Sequence, residues 1–219
     1  MSELKVSMSF LTTAMLTGWL MLTLDVSAAE MGSPKETWES YKSALRIGDA
    51  ETCFSLISKN SIDACEEIRK WSLKLSREEL EKLDEMDVAI VLVYRLEFDL
   101  EKLKKLSIEE LMSEMFVKNA RDGYKFFNLC TLDDFEIEGN TAIANLHSKF
   151  STQDLKVRFV NEKETWKFDV DHFGKQSQSW YGPARSKSGL SKVDFALALL
   201  KKQCGEDNVP TKIVDAPFE

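Results

Sequence analysis

Residues 132 to 171 read LDDFEIEGNTAIANLHSKFSTQDLKVRFVNEKETWKFDVD, and in this stretch apolar positions recur every second residue. Phe135 and Ile137 alternate with Asp134, Glu136 and Glu138. Leu155, Val157 and Phe159 alternate with Lys156 and Arg158. Trp166, Phe168 and Val170 alternate with Lys167, Asp169 and Asp171. The breaks fall on turn-forming residues: Gly139-Asn140, Ser151 to Asp154, and Asn161 to Glu164. About four strands therefore form an antiparallel meander with one greasy and one charged face. On this reading Asp169 and Asp171 lie on the solvated face, opposite Trp166 and Phe168.

Upstream the period lengthens to 3.6. Ser33-Pro34-Lys35-Glu36 supplies an N-cap, a proline suited to the first helical position and a capping-box glutamate, and Trp38, Tyr41, Ala44 and Leu45 follow on one face. Gly48 ends that helix, and Asp49 caps a second with Ala50, Cys53, Phe54 and Ile57 inward. Ser61 is expected to open a third helix, with Ile62, Cys65 and Ile68 inward, and Ser76 to Glu79 restarts it. The run Val88 to Tyr94 suits a buried strand or a helix. It reads as helix because Glu78 to Glu85 before it and Arg95 to Leu106 after it are helix formers without Gly or Pro. Ser107 and Glu110 make a capping box before Ile108, Leu111, Met112, Met115 and Phe116.

Beyond the strands, Gly174 to Gly189 is polar and reads as a loop. Ser191 caps a last helix bearing Val193, Ala196, Leu197, Leu200 and Cys204, and Gly205 stops it. Residues 206–219, with Pro210 and Pro217, read as a loose tail. The fold class is α+β: several N-terminal helices, a curved antiparallel meander and a C-terminal helix.

The first residues carry an address. An apolar run from Met8 to Leu24 precedes Val26-Ser27-Ala28-Ala29, whose small residues fit cleavage after Ala28, so residues 1–28 read as a signal peptide and the mature protein as periplasmic or secreted. The rival is an uncleaved anchor through Met8 to Leu24. A net charge of -8 and the lack of a Lys/Arg-rich face argue against a nucleic-acid partner. Cys53, Cys65, Cys130 and Cys204 permit two disulfides in an oxidising compartment, or buried thiols. No C-x-x-C or H-E-x-x-H spacing exists, the histidines are His147 and His172, and no cofactor motif stands out.

The helix pair joined at Gly48-Asp49, with Pro34, Trp38 and Tyr41 ahead of it, and the closing Glu164-Thr165-Trp166-Lys167-Phe168-Asp169 strand resemble the nuclear-transport-factor-2-like superfamily, in particular its exported bacterial members. The resemblance covers residues 33–172, with a helical insertion at about 61–106; residues 173–205 would add a loop and helix, and 206–219 a tail. It implies a sheet curled around the first helices, with Trp38, Tyr41, Trp166 and Phe168 as candidate pocket-lining residues. The same stripe at helical and strand spacing also reads simply as core. Catalytic relatives of ketosteroid-isomerase type need a carboxylate in an apolar pocket; the groups available here are Asp169, Asp171, His172, His147 and Tyr124, and none transfers from the family as a catalytic residue. His147 shares a face with Ile143 and Asn145, which leaves its side open.

Three functions follow. The first is an exported, non-catalytic binding module for a small apolar ligand or a protein partner, with no stable membrane insertion once the signal is cleaved. The second is a small cofactor-free isomerase or cyclase. The third is an envelope assembly protein anchored in the membrane.

Overall fold

The structure, a computed structural model, describes residues 32–148, 155–176 and 178–214. The expected signal peptide, the expected turn at Ser151 to Asp154 and the last five residues lie outside them. The chain forms two compact units. One comprises residues up to Ile62 and Glu109–Phe173, the other Asp63–Ile108 and Gly174 onward.

In the first unit, α1 (Pro34–Ile47) starts at Ser33, whose Oγ accepts the Glu36 N–H at 3.2 Å. It ends at Gly48, whose φ of 72° is the left-handed geometry that favours glycine. Asp49 accepts the Thr52 N–H at 3.0 Å and opens α2 (Ala50–Ser55). The helix α3 (Lys59–Lys74) begins three residues earlier than the sequence pattern suggests. Ser58 is its cap, because Ser58 Oγ takes the Ser61 N–H and Ser58 O takes the Ile62 N–H.

The sheet belongs wholly to this unit. Its strands are β1 (Cys130–Leu132), β2 (Glu136–Glu138), β3 (Thr141–Ser148), β4 (Leu155–Glu162) and β5 (Thr165–Phe168), all antiparallel. β2 to β5 form the expected meander, and β1, which the alternation did not reveal, joins β2 on the same edge of β3. Ala142, Ala144, Leu146, Leu155, Val157, Phe159, Trp166 and Phe168 fill the greasy face. Ile137 is 56 % exposed, since a three-residue edge strand places it beyond the reach of the core.

The other edge is closed. Phe168 N–H donates to Leu56 O at 2.7 Å and Ser58 N–H donates to Phe168 O at 3.0 Å, so Ile57 bridges β5 in parallel. Thr37 Oγ1 donates to Trp166 O at 3.0 Å, tying α1 to that strand. The strand also stops sooner than alternation predicts. Val170 and Asp171 belong to the helix that follows, because Asp169 accepts the His172 N–H on Oδ1 and the Phe173 N–H on its carbonyl.

The second unit is helical. It holds most of α3, then α4 (Arg77–Leu80), α5 (Glu85–Glu97) and α6 (Leu100–Lys105). Ser76 and Glu79 form the full capping box of α4. Val88 to Tyr94 is helix, as read. The stretch from Glu78 to Leu106 is nevertheless divided rather than continuous: Asp84 takes the N-cap conformation ahead of α5, and Asp99 Oδ1 accepts the Lys102 N–H after an extended, buried Phe98. The long helix α7 (Ile108–Asn128) returns to the first unit, burying Leu111, Met112, Met115 and Phe127.

Residues 174–176 and 178–188 are helical instead of a loop. They form the end of α8 (Val170–Gln176) and α9 (Gln178–Ser188), which continues past Pro183 with the loss of one main-chain donor. α10 (Lys192–Cys204) is capped by Ser191 and stopped at Gly205 as read. The described part of the tail, residues 206–214, packs as well. Two 3₁₀ turns, Glu206–Asn208 and Thr211–Val214, bury Val209, Ile213 and Val214.

Candidate functional site

The sheet's greasy side is filled by rings. Trp38 meets Phe127 and Phe168 edge-on at 5.1 and 5.7 Å, Tyr41 meets Phe168 at 5.2 Å, and Phe159 stacks on Phe168 at 5.3 Å. Such pairs stabilise by about 0.5–1.5 kcal/mol each beyond the area they bury. Trp38, Tyr41, Trp166 and Phe168 are therefore all buried in this core. Of the four, Trp38 also lines an opening at its margin.

That opening is a hollow of about 280 Å³ between one face of α1 and the chain from Cys130 to Phe135. Lys35, Trp38, Glu39 and Lys42 recur at helical spacing along its first wall; β1 and the residues after it make the second. Lys42 is engaged with Glu39 at 3.0 Å and sits 5.9 Å over the Trp38 ring. Asp133 is engaged with His147 Nε2 at 2.9 Å and with Asn145 Nδ2 at 3.3 Å, and these hydrogen bonds hold its carboxyl below the usual aspartate range. His147 is thus a half-exposed partner of Asp133 on the polar side of β3. Among the described residues Lys35 and Asp134 have no ion-pair partner, and they stand on opposite walls.

The carboxylate of Asp169 lies elsewhere than expected. It is 0 % exposed, because the Ser58–Ser61 turn covers the face that alternation assigned to solvent. Its Oδ2 accepts both Arg158 Nε at 2.8 Å and Nη2 at 2.5 Å; its Oδ1 accepts Ser61 Oγ at 3.2 Å and the His172 N–H at 3.0 Å. Ser61 Oγ in turn contacts Ser58 Oγ at 3.0 Å and accepts the Asp171 N–H at 3.1 Å. Four donors occupy the roughly four acceptor positions of a carboxylate, so none is left for a substrate proton. Asp171 is half-buried at the start of α8 and accepts from Asn60 at 3.4 Å. His172 and Tyr124 are half-buried on their helices.

In the second unit the buried ion is Arg95, 4 % exposed. It donates to the carbonyls of Ser72 at 2.9 Å, Leu75 at 2.5 Å, Trp71 at 3.4 Å and Ile213 at 3.1 Å. The first three are at the C-terminal end of α3, where unpaired carbonyls gather negative potential. Burial pulls its pKa below the ordinary guanidinium value. Nearby on α5, burial and the adjacent Cys65 thiol push the Tyr94 hydroxyl well up.

No disulfide joins the four cysteines. Burial first, then Asp49, raises Cys53 to about 12, so it packs as a small hydrophobe rather than a nucleophile. Among the described residues no cluster of three or more His, Cys, Asp or Glu side chains is placed to hold a metal, and no helix is long and apolar enough to cross a membrane.

The roles of Arg158, Ser58, Ser61 and Arg95 around the two buried ions are not read from the sequence. A signal for the first existed: the turn at Lys163-Glu164 sets Phe159 opposite Phe168, and the next pair outward is Arg158 with Asp169. Nothing local marks Arg95, whose acceptors are main-chain carbonyls far off in sequence. No protein-family model, curated protein or solved structure matches this chain.

Proposed function

We propose that this chain is an exported, non-catalytic binding module of nuclear-transport-factor-2-like build, engaging a protein partner at its surface rather than a small apolar ligand inside. The observation that carries the reading is the position of the aromatic rings. They occupy the side of the sheet where an enclosed pocket would lie, whereas the hollow between α1 and Cys130–Phe135 is open and lined by charge. The α1–Gly48-Asp49–α2 corner and the β2–β5 meander support the family likeness. Asp169, the buried carboxylate that an isomerase would need, spends its acceptors on Arg158, Ser61 and the α8 main chain.

Titration of the native protein with 8-anilinonaphthalene-1-sulfonate tests the interior. No saturable fluorescence gain is expected, and a stoichiometric gain quenched by an apolar competitor would place the ligand inside and overturn the surface reading. Intact mass of the full chain expressed in a bacterium tests export. Loss of residues 1–28 is expected; a full-length species confined to the cytoplasm overturns it.

A further inference from the structure

We propose that the groove beside α1 receives an extended peptide from a partner protein, added as a further strand on the outer edge of β1. The proposal rests on the surface-binding reading above and names the kind of partner. Three observations carry it.

The first is the direction of the main chain. Asp133 N–H donates to Asn145 O at 3.1 Å, and Thr131 is registered with His147. In an antiparallel ladder these alternate residues turn their N–H and C=O groups toward the neighbouring strand, so Leu132 between them turns its own pair away from β3, along the outer edge of β1. An edge of this kind is a template for another strand.

The second is the contrast with the far edge of the sheet, where Leu56 and Ser58 already take the main-chain groups of Phe168. Among the described residues, the fold closes one edge with its own chain and leaves the other facing a helix across a hollow. A strand edge paired with a helix face is the arrangement in which added-strand recognition works: main-chain bonds give affinity, and the helix stripe selects side chains.

The third is charge. Lys42 and Asp133 are engaged within the protein, but Lys35 on the helix wall and Asp134 on the strand wall have no ion-pair partner among the described residues. A segment fitting this groove carries an acidic side chain toward Lys35 and a basic one toward Asp134.

The test is selection of phage-displayed random octapeptides on the immobilised full chain, with the Lys35→Glu variant panned in parallel. The best enriched peptide is then synthesised with a fluorophore and titrated by anisotropy. Enriched sequences are expected to combine β-branched residues with one acidic and one basic residue, and to lose the acidic one on Lys35→Glu. Leu132→Pro removes the outward N–H while leaving the bonds of Thr131 and Asp133 to β3, and is expected to weaken binding by roughly tenfold or more. If Leu132→Pro lowers the melting temperature, the wild-type protein with peptides N-methylated at alternate residues gives the same answer, since only one set of alternate N–H groups would matter. Equal affinity for the wild type, Lys35→Glu and every N-methylated peptide would remove the groove proposal while leaving surface binding in place. Failure to enrich any peptide over the Lys35→Glu control overturns it as well, and the dye and mass experiments decide the broader reading separately.

Discussion

Asp169 and Arg95 are both buried ions, one in each unit, and they are held in opposite ways. Asp169 is neutralised by a side chain, Arg158, which is itself 32 % exposed, and its remaining acceptors are filled by Ser61 and the start of α8. Arg95 is instead surrounded by carbonyls at the end of α3 and by one from the tail. The difference lies in what can be exchanged. A side-chain pair can be replaced by two apolar residues with little net loss, because both charges leave together. Carbonyls belong to the main chain and stay whatever residue is written at position 95.

The sharpest way to break this comparison is Arg95→Met, which keeps much of the stem but takes the guanidinium away from the carbonyls of Ser72, Leu75 and Ile213, while Trp71 O keeps the Leu75 N–H. A loss of about 4 kcal/mol is expected in denaturant unfolding, with no second substitution that restores it. Asp169→Ala comes next. It removes the partner of a partly solvated Arg158 together with the cap of α8, and about 3 kcal/mol is expected. Here a rescue exists: in a cycle with Arg158→Leu, the double variant should lose less than the two single losses combined, by roughly 1–2 kcal/mol. Strictly additive losses would mean that Asp169 acts only through Ser61 and the cap of α8.

A smaller effect of opposite sign is expected at the hinge of the same hairpin. Lys163 and Glu164 both have positive φ, 52° and 68°, which strains residues with a Cβ. Glu164→Gly should therefore raise stability by about 1 kcal/mol, read as a higher midpoint at unchanged slope. The smallest effect concerns an exposed pair in the second unit. Hydrogen bonds from Arg77, then Ser191, hold the Asp194 carboxyl below the usual aspartate range. Its folded-state pKa is depressed, so its contribution is present above the ordinary aspartate pKa and fades as pH falls through the lowered one. Arg77→Gln should therefore lower stability slightly at neutral pH, flatten the acid side of the stability–pH curve and leave the value below the lowered pKa unchanged.

The sequence was most legible where local rules act alone. Ser33, Gly48, Asp49, Ser76, Ser191 and Gly205 mark helix ends through bonds made within four residues, and each does so in the structure. The meander was legible through its alternation and its turns. Legibility failed where a distant segment changes what a pattern means. Asp169 has the spacing of a solvated residue, yet Ser58 and Ser61 arrive from more than a hundred positions earlier to cover it. The polar run after Gly174 is helical although its composition resembles a loop, and the tail residues 206–214 pack through Val209, Ile213 and Val214, with Ile213 supplying a carbonyl to Arg95. The groove beside α1 was half visible: Trp38 was singled out for its ring, but its neighbours Lys35 and Asp134 acquire meaning only when β1 is seen to face that helix.

The first unit is assembled from two stretches of chain with a helical segment threaded between them, and this sets a timetable for synthesis. Thr37 reaches its acceptor on Trp166 across 129 positions. At ribosomal rates of about 5–20 residues per second, α1 emerges many seconds before the strand that covers its aromatic face. In that interval Trp38 and Tyr41 are exposed to any chaperone with an apolar cleft.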